Sequence, residues 1–205
     1  MDNNLHVTAE TLPKFISLYY QRGAIYTDTF NKACEEYVNS VYAETESMSE
    51  ATHSGYEECV KCGGRCCKNF PCALSPKQVE KILKAPITKK RLRKLLNSGK
   101  YSLDYYFTDG RHDAYFIRYK SKHAFVADEY YNGAGCINLT SSGCRLKFEE
   151  RGIDAQLLHP VFDDPDKHSY HCDSSVNKAG MGVLWLPYRK MLEQLWLEFF
   201  HSGKK

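Results

Sequence analysis

The chain has 205 residues, with 28 Lys and Arg against 25 Asp and Glu, a net charge of +3 and 42% apolar residues. This is the profile of a globular domain, with too balanced a charge for a polyanion-binding tail and no stretch near the ~20 apolar residues that span a bilayer. Nine Cys are present, and five of them fall between positions 59 and 72, where random placement would put fewer than one.

From Thr11 to Ser47 apolar residues recur at three- and four-residue spacing (Leu12, Phe15, Ile16, Tyr19, then Phe30, Ala33, Tyr37, Val38, Val41), which predicts two helices broken near Gly23. Cys34 lies on this pattern and reads as a small buried apolar residue. The Ser-, Thr- and Glu-rich stretch 44–55 reads as a linker. Ser75 and Pro76 form an N-cap and first-turn proline for a short helix with Val79, Ile82 and Leu83 on its inner face, ended by Pro86. Thr88 caps a second helix with Leu92, Leu95 and Leu96 inward and Lys89, Lys90, Arg91, Arg93 and Lys94 outward, terminated by Gly99. That basic face reads as a solvated helix surface rather than a specific nucleic-acid site, because the overall charge is nearly balanced.

Between Tyr101 and Val126, aromatic and β-branched residues alternate with polar ones around Asp109 and Gly110, predicting two or three short antiparallel strands. Asp163, Asp164 and Asp166 around Pro165 read as a solvated turn. The segment 183–201 repeats Leu184, Leu192, Leu195, Trp196 and Phe199 at helical spacing, a core-facing stripe. The expectation is one α+β domain over residues 1–205, with N-terminal helices (1–50), a cysteine-cluster core (56–175) and a C-terminal helix (183–201) around a short antiparallel sheet.

The central motif is Cys59-x2-Cys62-Gly63-Gly64-Arg65-Cys66-Cys67-x4-Cys72. A C-x2-C step lets two thiolates converge on one metal from a tight turn, and glycine supplies the positive φ such a knuckle needs. Adjacent Cys66 and Cys67 point to opposite sides of an extended chain, suggesting two metal centres or one polynuclear cluster. Downstream, Cys136 and Cys144 flank a loop with Ser141, Ser142 and Gly143 at its turn, a hairpin that would bring the thiols together, and Cys172 follows His168 and His171. An odd Cys count with no secretion signal points to a reducing, cytoplasmic setting, where clustered thiols are metal ligands or redox groups.

Setting Cys34 aside, eight thiols (Cys59, Cys62, Cys66, Cys67, Cys72, Cys136, Cys144, Cys172) suffice for two four-thiolate zinc sites, or for a four-cysteine iron-sulfur cluster with a separate zinc. Lys61, Arg65, Lys68, Arg145 and Lys147 beside them can offset thiolate charge. His159, His168 and His171 each read as solvent-facing or supporting groups, a mixed Cys/His site being the alternative. Spacing does not choose between zinc and iron-sulfur, because the bacterial ferredoxin run C-x2-C-x2-C-x3-C-P is not matched. No phosphate-binding glycine loop, dinucleotide fingerprint or G-x-S-x-G element is present.

The opening C-x2-C-x3-CC, followed by Cys136-x-x-Leu139, Gly143-Cys144 and a turn containing Arg151, resembles the YkgJ-type zinc- or iron-chelating cysteine-cluster family over residues 58–172. The family's R-P-x-x-C step is replaced here by Arg151-Gly152-Ile153-Asp154-Ala155, lacking both Pro and Cys, with Cys72 or Cys172 as candidate substitutes for the missing ligand. The resemblance implies metal chelation, and some relatives are the cysteine-rich part of flagellin lysine methylases. Three function classes follow: a metal-binding module holding its loops together through zinc or an iron-sulfur cluster, an iron-sulfur or iron-dependent enzyme of redox or group-transfer chemistry, and a zinc-stabilised nucleic-acid binder. Neither a physiological partner nor a membrane is indicated.

Overall fold

The structure is a computed structural model and describes residues 8–10, 12, 27–49, 51–52, 67–68, 71–108, 112–129, 135–141, 143–164 and 169–202. The expected break near Gly23 lies outside these residues. Helix α1 (Asp28–Ser47) starts where the Thr27 hydroxyl accepts the Phe30 N–H at 3.2 Å. Phe30, Ala33, Tyr37 and Val41, at helical spacing, form its buried face.

Strand β1 (Ala73–Leu74) leads directly into α2 (Pro76–Leu83). Ser75 and Gln78 make a reciprocal capping box there, Pro76 begins the helix, and Lys84 ends it in the left-handed region at φ 51°. Val79 is fully buried, but Ile82 is 38% exposed, so the inner face of this short helix is narrower than its apolar residues suggest. Helix α3 (Lys89–Leu96), capped by Thr88, buries Leu92, Leu95 and Leu96 as its spacing predicts. Each such side chain contributes roughly 1.5–3 kcal/mol on leaving water.

The central sheet comprises β1, β2 (Tyr101–Thr108), β3 (His112–Tyr119) and β4 (Ala127–Glu129) in the order β1-β3-β2-β4. The β2–β3 pair is the expected antiparallel hairpin, with Tyr101 opposite Tyr119 and Thr108 opposite His112. The purely antiparallel expectation needs correction at one edge, because β4 runs parallel to β2, with Leu103 opposite Ala127. Side chains hold that edge: the Ser102 hydroxyl donates to the Phe125 carbonyl at 2.8 Å, and Asp128 is bound from β3 by Arg118.

Beyond the sheet come a small hairpin of β5 (Leu139–Thr140) and β6 (Gly143–Cys144), then the single turn α4 (Ile153–Gln156). A second hairpin follows, formed by β7 (Leu158–Asp164) and β8 (Ser169–Ser174). It corrects the reading of Asp163 and Asp164 as turn residues, since both belong to β7. The β-prone pair Val161-Phe162 was the available signal, masked by the proline before it in mid-strand.

The C-terminal segment is also divided. Asn177 caps α5 (Lys178–Leu184), a 3-10 turn containing Pro187 follows, and α6 (Arg189–His201) completes the chain. Proline has no N–H to continue the helical ladder, which accounts for the break. Leu192, Leu195, Trp196 and Phe199 face α3 and the sheet, while α5 packs against β3 and approaches α1 at Gly180, where a Cβ would collide with the Tyr37 hydroxyl. Trp185 is wholly buried and its indole N–H donates to the Leu74 carbonyl at 2.8 Å, tying the C-terminal segment to β1. The architecture is α+β, with helices from both ends of the chain packed around a mixed sheet.

Candidate metal centre

Cys72 immediately precedes β1 and is 7% exposed, and Cys136 lies just ahead of the β5–β6 hairpin, which begins at Leu139, and is 1% exposed. Two backbone joints fasten this hairpin to the rest of the chain: the Cys136 N–H donates to the Cys67 carbonyl at 2.7 Å, and Ser121 forms a β-bridge with Cys136. Gly135 takes φ 70° to let the chain turn into this joint, a conformation that glycine adopts without strain. On the other arm, Cys144 sits opposite Leu139 in β6. The Cys136–Cys144 hairpin is thereby joined to the stretch of chain that carries Cys67 and Cys72.

The electrostatics of Cys67, Cys72, Cys136 and Cys144 show the proximity. The Cys67 thiol hydrogen-bonds to the Cys144 sulfur and, with the Leu146 N–H and the cations Arg151 and Arg145, holds Cys144 down to about 6. Burial pushes the Cys72 thiol well up, reinforced by the charge of Asp154 and opposed by the Gly152 N–H, which donates to Cys72 Sγ at 3.2 Å. Burial also raises Cys136, while the Asn138 N–H, 3.4 Å from its sulfur, lowers it. Cys136 and Cys144 each add a repulsive charge at Cys72, as neighbouring thiolates do.

The segment Arg151-Gly152-Ile153-Asp154 encloses Cys72. Asp154 accepts the Ala73 N–H at 2.9 Å, and a Cβ at Gly152 would collide with the backbone of Ala73. Where the resembled motif carries proline, a proline here would lack the N–H that reaches Cys72 and would bring the clashing carbon. Gly152 and Cys72 therefore belong together. Cys172 stands on a different sheet, exposed, opposite Pro160 in the β7–β8 hairpin.

Of the remaining predicted ligands, Cys59, Cys62 and Cys66 lie outside the described residues, as does His168. His159 is half-buried on β7 with Nδ1 3.5 Å from the Leu157 carbonyl, and His171 belongs to β8. Cys34 packs partly buried against the core, with its thiol pushed up to about 12 by burial, as expected of an apolar filler. Among the described residues, no group of three or more Cys, His, Asp or Glu side chains has metal-holding geometry. The four thiols are neighbours without forming a closed coordination shell.

Sequence reasoning missed a buried ionic cluster next to this site. Arg118, on β3, donates from Nε to Asp104 on β2 at 2.6 Å and from Nη2 to Asp128 on β4 at 2.9 Å, all three side chains being nearly inaccessible. Its Nη1 reaches Ser121 Oγ at 3.2 Å, the residue bridged to Cys136. The signal was Asp104 and Arg118, each set between apolar neighbours in its own strand segment. Burial raises Asp104 to about 6 despite Arg118, and burial lowers Lys178, beside it on α5, to about 8.

The basic face of α3 is partly neutralised, since Glu198 on α6 accepts from Lys89 at 2.8 Å and from Arg93 at 2.6 Å. Among the described residues no helix is long and apolar enough to cross a membrane. Comparison with family models, curated proteins and solved structures finds no match to this chain.

Proposed function

We propose that the protein binds metal through its clustered cysteines, with zinc or an iron-sulfur cluster joining the segment around Cys59–Cys72 to the Cys136–Cys144 hairpin. One observation carries this reading: Cys67, Cys72, Cys136 and Cys144, up to 77 positions apart in sequence, lie within electrostatic reach of one another, Cys67 hydrogen-bonded to Cys144, with N–H donors and the cations Arg145 and Arg151 acting on them. Thiolates around a divalent metal leave net negative charge, which such surroundings offset. Cys59, Cys62 and Cys66 supply further thiols from the same stretch of chain, and the likeness to cysteine-cluster chelators points the same way. Cys72, enclosed by the Arg151–Asp154 turn, fits the place of the motif's missing cysteine better than exposed Cys172. Such a metal contributes its binding energy to folding, and a reducing cytoplasm would keep the thiols competent.

The test is elemental analysis and labile-sulfide assay of anaerobically purified wild type, Cys144→Ser and Cys172→Ser. Metal in the wild type, reduced in Cys144→Ser and retained in Cys172→Ser, is expected. Wild type without zinc or iron would defeat the proposal. Brown protein with labile sulfide would favour the iron-sulfur form, and with it redox or group-transfer chemistry, whereas a colourless zinc protein would favour the structural module. The Glu198 bridges to Lys89 and Arg93 speak against the nucleic-acid reading.

A further inference from the structure

Among the described residues, two buried donors in the segments around the thiols have no hydrogen-bond partner: Asn138 Nδ2 and Arg151 Nε. Leaving such groups unmatched in the interior is costly, and native structures do so rarely. Asn138 is 4% exposed and its orientation is fixed, because its Oδ1 accepts from Arg145 Nε at 2.9 Å. A guanidinium has no acceptor, so the oxygen must face Arg145 and the amide nitrogen must face elsewhere. The main-chain N–H of the same residue already donates to Cys136 Sγ at 3.4 Å, and the Asn138 side chain also faces that sulfur. Arg151 immediately precedes Gly152, whose N–H donates to Cys72 Sγ at 3.2 Å, and its charge acts on Cys144. Asn138 Nδ2 thus lies where a cysteine sulfur already receives a backbone hydrogen bond, and Arg151 Nε belongs to the residue next to the N–H that donates to Cys72 Sγ.

A protonated thiol is a weak acceptor, whereas a metal-bound thiolate carries excess negative charge and accepts N–H groups readily. We propose that Asn138 Nδ2–H and Arg151 Nε–H are supporting donors to the metal-bound sulfurs of the cysteine centre, setting its affinity and the electron density on its thiolates. This rests on the metal-centre reading above and deepens it, since it assigns roles to two residues that ligate nothing. Neither residue's action depends on whether the metal is zinc or iron, because both offer the same N–H to the same thiolate sulfur.

The probe is cobalt(II), titrated anaerobically into chelator-treated, fully reduced wild type, Asn138→Ala and Arg151→Lys while thiolate-to-cobalt charge-transfer absorption is followed. Melting is recorded with and without cobalt. Arg151→Lys keeps the positive charge and puts a methylene where Nε–H stood, so it separates the donor from the charge. All three proteins are expected to saturate at the same number of cobalt ions. Each variant should bind about tenfold more weakly or worse, the range found for loss of a group that hydrogen-bonds a metal ligand, with a displaced charge-transfer band and a smaller rise in Tm on cobalt addition. Equal affinity and an unmoved band in both variants would overturn the inference. So would a fall in Tm of the same size with and without cobalt at unchanged affinity, which would make both residues structural only. If Asn138→Ala does not fold, Asn138→Ser takes its place, and if neither folds Arg151→Lys decides alone. Wild type lacking any thiolate-to-cobalt absorption would fail the metal-centre reading itself, a result visible before any variant is compared.

Discussion

Replacing Asp104 by Asn tests whether burial or ion pairing governs the carboxylate at the heart of the sheet. Asp104 is 3% exposed and accepts from Arg118 Nε, and Arg118 also binds Asp128, so two carboxylates share one guanidinium away from water. Desolvation wins over the attraction of Arg118 and raises Asp104 from an ordinary value of 3.8 to about 6. At 1.36 kcal/mol per pH unit that displacement is worth about 3 kcal/mol. The folded chain holds this proton more tightly than the unfolded one, so the contribution is fully present below about pH 4 and lost as pH rises through about 6. Asn cannot ionise and removes that pH dependence. Urea unfolding of chelator-treated wild type and Asp104→Asn is therefore expected to show the variant gaining about 2.5 kcal/mol on wild type between pH 4 and pH 7, most of the full displacement. The absolute stability of the variant also includes the weakened bond to Arg118, but that offset does not change with pH over this range. A difference that stays flat from pH 4 to pH 7, or that falls as pH rises, would show that Arg118 dominates and that the desolvation argument is wrong.

Cys34→Ala should leave metal content unchanged and cost on the order of 1 kcal/mol in chemical denaturation, since only a partly buried sulfur on α1 is lost; loss of metal would show that a ligand has been mistaken for packing. Gly152→Ala should destabilise the fold by about 1–3 kcal/mol, because its Cβ meets the Ala73 backbone, which cannot rotate away as a side chain would; an unchanged Tm would count against the close approach that shapes the Cys72 pocket. Reversing the charges of Arg91 and Lys94, both exposed on α3, should alter nonspecific, salt-sensitive adsorption to polyanions but neither metal content nor far-UV circular dichroism; a sharp loss of affinity for a defined oligonucleotide at physiological salt would reverse that assignment.

Local signals in the sequence determined much of this protein. Ser75-Pro76 with Gln78, and Thr88 with Arg91, place helix starts because capping is settled within four residues, and Leu92, Leu95 and Leu96 report their burial through spacing alone. The crowding of thiols between Cys59 and Cys72, and the Cys136–Cys144 hairpin, were equally legible. Tertiary structure alone decided that β4 joins β2 in parallel, that Cys72 comes within electrostatic reach of Cys136 and Cys144, and that Arg118 unites carboxylates from two other strands. These depend on side chains meeting across long stretches of chain, where neither a period of 3.6 nor one of 2 carries information. Gly152 shows the limit most plainly. In the sequence it is a departure from a proline-bearing motif, and only the approach of the Ala73 backbone and the Cys72 sulfur gives it a physical reason.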